Sequence, residues 1–132
     1  MRLFLDTSVM IDYERSFLKL RKLGDVKVPA MAVAEFVRGI EQTNDRQIRN
    51  RGERFLARQI APLGFVDFGF EAARAWAALV ETLRRAGLTM KFGDSLIAAQ
   101  CLSENASLVT ADGDFDRVPG LTIIAIEKMN PS

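Results

Sequence analysis

Two textures of apolar residues alternate along the chain: short continuous runs, and longer stretches with helical spacing. Leu3-Phe4-Leu5 is a continuous run of the kind a buried strand shows. Asp6-Thr7-Ser8 then offers three helix-capping residue types ahead of Val9-Met10-Ile11, which predicts a helix opening there. Phe17, Leu18, Leu20 and Leu23 mark a second helical stretch that ends near Gly24. A short strand is expected over 26–28, stopped by Pro29. From 30 to 42 the spacing is helical, with Val33, Phe36, Val37 and Ile40 as the core face.

An Arg-rich helix follows over 46–60, with Phe55, Leu56 and Ile60 inward, until Pro62 and Gly64 break it. A strand is predicted over 65–68 and a long Ala-rich helix over 70–86. That helix puts Trp76, Val80 and Leu83 on one side and closes at Gly87. Asp94 stands before Ser95-Leu96-Ile97-Ala98-Ala99-Gln100-Cys101-Leu102, a further helix start with an acid in its first turn. Ser107-Leu108-Val109-Thr110 reads as a buried strand, 111–114 as a turn and 121–126 as a last apolar strand.

Strands separated by helices predict an α/β domain: a parallel or mostly parallel sheet with helices on both faces. At 132 residues the length fits a single domain over 1–132. In open sheets of this kind ligands bind beyond the carboxyl ends of the strands, where the strand order reverses. Asp6 ends the first strand and Asp112 follows the strand ending at Thr110, so both fall on that edge.

Composition narrows the chemistry. The chain has no His and one Cys. Ser-His-Asp hydrolysis, His-ligated zinc, thiolate clusters and imidazole acid–base work are therefore excluded. No apolar run approaches the roughly 20 residues that span a bilayer. Asp6, Asp12 and Glu14 interrupt the only stretch that resembles a signal peptide, so a cytoplasmic protein is expected. The formal charge of +1 conceals an asymmetry: residues 1–91 carry 16 basic and 11 acidic side chains, residues 92–132 carry 2 and 6.

Four acids stand out, and each has a plain structural reading. Asp6 is a natural helix cap, Asp94 a helix-dipole residue, and Asp112 before Gly113 a turn former. Glu35 lies opposite its helix's apolar stripe, where Arg38 at i+3 is the ordinary partner. One hypothesis accounts for all four together: a pocket of converging carboxylates. Such groups repel one another unless a cation lies between them. An oxygen-only ligand set suits Mg²⁺ or Mn²⁺, which activate water and stabilise charge on phosphoryl oxygens.

Four segments carry a resemblance to a known family. They are Leu5-Asp6-Thr7-Ser8, Ala34-Glu35-Phe36-Val37-Arg38-Gly39, Asp94-Ser95-Leu96-Ile97-Ala98-Ala99, and Leu108-Val109-Thr110-Ala111-Asp112-Gly113-Asp114-Phe115. In order and spacing they resemble the signatures of PIN-domain ribonucleases, in particular the VapC-type toxins of toxin–antitoxin pairs. The resemblance implies a PIN-like three-layer α/β/α fold and Mg²⁺- or Mn²⁺-dependent cleavage of RNA. It matches Asp6, Glu35, Asp94 and Asp112 to the family's acidic quartet. Asp6 and Asp94 would most directly hold metal, with Asp112 also a ligand, while Glu35 and Asp112 hold or orient its waters. Ser8 and Thr110 match supporting hydroxyl positions, and Asp114 an acid that only some members have. The resemblance also implies a homodimer and a cognate VapB-like antitoxin that inserts a C-terminal segment into the acidic cleft.

The remaining features are weighed on their chemistry. Arg38, Arg46, Arg49, Arg51, Arg54 and Arg58, with Arg84, Arg85 and Lys91, offer an approach for a phosphate backbone. Solvated helix faces with pairs such as Arg49–Glu53 account for them equally well. Trp76 and Cys101 read as core residues. Two other functions stay open at this point. One is a regulatory module that binds metal and RNA without cleaving; the other is a phosphatase with Asp6 as nucleophile.

Overall fold

The computed structural model describes residues 2–6, 8–9 and 24–125. The helical stretch expected around Phe17–Leu23 lies outside them, as does residue 126 of the last strand. Five strands form one parallel sheet in the order β3-β2-β1-β4-β5. These are β1 (Arg2–Leu5), β2 (Asp25–Pro29), β3 (Phe65–Val66), β4 (Ser107–Thr110) and β5 (Ile123–Ala125). The sheet is flanked by helices in an α/β/α arrangement. Its described helices are α1 (Ala30–Gln42), α2 (Arg46–Phe55), α3 (Phe70–Arg85) and α4 (Phe92–Glu104).

β1 is central. Leu3 pairs with Val26 on one side and with Ser107 on the other. Leu3, Phe4 and Leu5 are all fully buried, as a strand covered on both faces requires. From β1 the chain builds outward through β2 to β3, then returns to the other flank for β4 and β5. The strand order therefore reverses between β1 and β4, and the crevice of an open α/β sheet lies at the carboxyl ends of these two strands. Asp6 extends their pairing by donating its backbone N–H to the Val109 carbonyl at 3.1 Å.

Several sequence expectations are met closely: α1 spans 30–42 as its periodicity requires, and Gly87, at φ +72°, closes the turn that ends α3. Three differ. β3 covers two residues instead of four, because the buried Gln100 amide donates to the Val66 and Asp67 carbonyls and ends the ladder. The Arg-rich helix changes character at Leu56–Ile60, a π-helical turn in which Ala61 N–H reaches back to the Leu56 carbonyl. In α3 the buried residues are Ala72, Leu79 and Leu83, whereas Val80 is 37% exposed. That helix presents its 72/79/83 face to α4, which rotates Val80 out to an apolar groove beside half-buried Trp76.

α4 is apolar almost all round, and its residues 94 to 101 are all buried. Cys101 is fully buried, and burial pushes its thiol pKa up, so it acts as a small hydrophobe. Trp76 Nε1 donates to Ser95 Oγ at 2.9 Å, and Ser95 Oγ donates to the Phe92 carbonyl at 2.6 Å. Together these bonds tie α3 to the first turn of α4, the turn that carries Asp94. Among the described residues, no helix is long and apolar enough to cross a membrane.

Candidate metal centre at the strand switch

Asp6 is 3% exposed at the end of β1. Its Oδ2 accepts from Ser8 Oγ at 2.8 Å and from Thr110 Oγ1 at 2.7 Å. Both hydroxyls also accept backbone N–H groups from the loop after β4: Ala111 N–H on Ser8 at 3.1 Å and Asp112 N–H on Thr110 at 2.9 Å. This network fixes the Asp6 carboxylate to the neighbouring strand end. Asp112 in turn caps the short 3₁₀ helix Gly113–Arg117, its Oδ1 accepting Asp114 N–H at 2.9 Å. The turn-forming reading of Asp112 thus holds alongside any other role.

Asp94 is different. α4 begins at Phe92, two residues earlier than its sequence suggests, with Lys91 as N-cap. Asp94 is therefore in the first turn and is not the cap, and its side chain makes no hydrogen bond among the described residues. Its pKa is pushed up to about 6, first by burial, then by the charges of Asp6 and Asp112, with Lys91 opposing. Glu35, reaching in from α1, is also raised, by burial first and then by Asp94 and Asp6. Its Oε1 is buried and has no hydrogen-bond partner among the described residues, and no ion pair with Arg38 forms.

Oxygens of Asp94, Asp112 and Asp114 all lie within 4.8 Å of one another. Asp6 stands beside this triad and is coupled to it through the field it exerts on Asp94. The structure thus brings together all four acids singled out in the sequence and draws Asp114 into the tightest group. A donor set made only of carboxylates, two of them holding raised pKa values against like charge, fits a hard divalent cation.

Residues 3–121 match the PIN domain family. The chain belongs to it. Among relatives of this PIN domain, Ribonuclease VapC4 of Mycobacterium tuberculosis is 29% identical over 95% of this chain and 97% of its own. Ribonuclease VapC1 of Rickettsia felis is 25% identical over 96% and 97%. In fold, it superposes on the crystal structure of VapBC2 from Rickettsia felis, bound to a promoter DNA fragment, with a TM-score of 0.82. That superposition covers 95% of this chain and 98% of the other, at 24% identity.

Two residues of this PIN domain's site have no forewarning in the sequence. A Cβ at Gly93 would lie 2.9 Å from Glu35 Oε1, so the glycine makes room for that carboxylate. Arg117 donates to the Thr89 carbonyl at 2.7 Å and lies 3.8 Å from Asp114 Oδ1, tying the 3₁₀ helix to the approach to α4. Neither carries a local signal, because each is defined by a partner distant in sequence. Of the basic residues, Arg84 and Arg85 are both held on Glu81. Arg49 faces Glu41 at 3.6 Å instead of the expected Glu53.

Proposed function

We propose that this PIN domain is a Mg²⁺- or Mn²⁺-dependent endoribonuclease, the toxin of a VapBC-like toxin–antitoxin pair acting in the cytoplasm. The convergence of Asp6, Glu35, Asp94 and Asp112 on the carboxyl edge of β1 and β4 carries this reading. The resemblance to ribonucleases over nearly the whole chain supports it. Asp94, Asp112 and Asp114 would hold the cation, with Asp6 completing the field around it. A divalent cation there supplies an activated water and charge stabilisation at the phosphoryl oxygen.

The protein's own residues have separable tasks. Ser8 and Thr110 fix the Asp6 carboxylate in place by donating to one of its oxygens. Glu35, with an unpartnered buried oxygen and a raised pKa, is suited to orient the attacking water and accept its proton. Lys91, whose charge is felt by both Glu35 and Asp94, stands where a substrate phosphate would approach. A VapB-like antitoxin that inserted an Arg among these acids would satisfy them and displace the cation, a direct form of inhibition. A homodimer is the assembly proposed for the toxin.

The test is cleavage of RNA by the purified protein with Mg²⁺ or Mn²⁺, with EDTA and Asp94→Asn as controls. Cleavage should need the metal and vanish in the variant; activity surviving both controls overturns the metal mechanism. RNA binding that is equal in the two proteins, with cleavage by neither, would point to a regulatory module instead. An acyl-phosphate on Asp6 would point to a phosphatase.

A further inference from the structure

Away from the acidic site, Arg51, Arg54, Phe55, Arg58 and Gln59 line a groove of about 360 Å³ along α2 and the π-helical turn that continues it. Its three guanidiniums are exposed, and none has an ion pair or hydrogen bond among the described residues. By contrast, Arg2, Arg49, Arg84, Arg85 and Arg117 all face a carboxylate. Three uncompensated guanidiniums lining one groove concentrate positive potential there.

The groove is tied to the catalytic side of the molecule. The Phe55 ring, in its wall, packs on Phe36 with centroids 5.7 Å apart, and Phe36 adjoins Glu35 on α1. Gly52 lets the two helices approach closely, since a Cβ there would lie 2.8 Å from Ile40 Cγ1. α2 is thus held against the Glu35 helix, and the groove keeps a defined position relative to the acids.

We infer that the Arg51/Arg54/Arg58 groove binds the phosphate backbone of the RNA substrate away from the scissile bond. The inference rests on the ribonuclease reading and adds to it a second anchoring surface. Guanidinium forks match phosphate oxygens. Arginines placed about once per helical turn, roughly 5.4 Å of rise each, suit a repeating linear anion. The acidic centre itself repels that backbone, so an electropositive groove on a neighbouring helix supplies attraction the active site lacks. With its guanidiniums engaged on phosphates, the groove would contribute affinity more than sequence choice.

The experiment measures binding of a fluorescein-labelled 12-nucleotide RNA to full-length protein carrying Asp94→Asn, by anisotropy across a salt series. Removing one phosphate-binding arginine should reduce the salt slope by about 0.7, so Arg51→Gln/Arg54→Gln/Arg58→Gln should flatten it by about 2. The Arg84→Gln/Arg85→Gln control, whose guanidiniums already pair with Glu81, should keep the parental slope. Far-UV circular dichroism verifies that the triple variant is folded; if it is not, each single variant should flatten the slope by about 0.7. RNA binding with an unchanged slope in folded triple or single variants overturns this inference alone. Failure of the parent to bind RNA at all overturns the ribonuclease reading and the groove with it. A triple variant that loses binding to a hexaglutamate peptide but not to RNA would assign the groove to an acidic protein segment and overturn the RNA assignment.

Discussion

The carboxylate of Glu35 lies directly over Gly93: a Cβ at that position would sit 2.9 Å from Oε1 and 3.2 Å from Cδ. One helix brings the acid, and another supplies the gap it occupies. Gly93→Ala should therefore push the carboxylate aside while leaving the helix intact. A misplacement of about 1 Å costs on the order of 10²-fold in rate, so kcat/KM for RNA cleavage should fall by about that factor. Because Ala favours a helix over Gly by about 0.5–1 kcal/mol, thermal stability should hold or rise. Cleavage at the wild-type rate would show that Glu35 does not need this position.

Asp94 sets the pH response. Its folded pKa of about 6 exceeds its ordinary value of 3.8 because burial, Asp6 and Asp112 disfavour the charge. The folded state therefore binds the extra proton, and this group's contribution to stability declines as pH rises from about 4 to about 6. Melting temperatures in metal-free buffer should follow that direction, and Asp94→Asn should raise the value at pH 7 while abolishing cleavage. A variant that melts lower than wild type at pH 7 would make Asp94 a structural residue of the helix terminus.

Metal should reverse the repulsion. A ligand that binds only the folded state at 100 times its Kd adds about 2.7 kcal/mol of stability. Mn²⁺ should accordingly raise the melting temperature of the wild type, and by much less in Asp112→Asn or Asp94→Asn. Equal shifts in all three proteins would place the cation elsewhere.

Thr110 is a buried polar link between strand ends. Thr110→Val keeps the shape but removes the donor to Asp6 and the acceptor for Asp112 N–H. Leaving such groups unpaired costs about 1–3 kcal/mol, readable by urea denaturation, and cleavage should fall as Asp6 loosens. Thr110→Ser should recover most of both. Full activity and stability in the valine variant would remove the hydroxyl from the site.

How much of the site is legible beforehand depends on where its information is stored. Asp6 and Asp112 are readable because a strand end is a local event: an apolar run stops, and the next polar residue falls on the sheet edge. Asp94 is readable as a first-turn acid, although its helix starts two residues earlier than its apolar pattern implies. Gly93 and Arg117 are not readable, since one answers to a carboxylate on α1 and the other to the Thr89 carbonyl. Val80 misleads for a related reason. Periodicity defines a helix's apolar side, but the neighbour it packs on chooses which part of that side is covered.

The sequence by itself determined the succession of strands and helices over the described residues, the exclusion of imidazole and thiolate chemistry, and the four acids worth following. Those follow from local sterics, from hydrophobic period and from the residue types present. Only the tertiary structure decided that Asp114 joins Asp94 and Asp112 within 4.8 Å, that Glu35 leaves Arg38 for the acidic centre, and that Arg51, Arg54 and Arg58 line one groove without an ion pair among the described residues. Charge–charge distances between remote segments arise when the sheet closes and α1 and α4 pack. No local pattern encodes them.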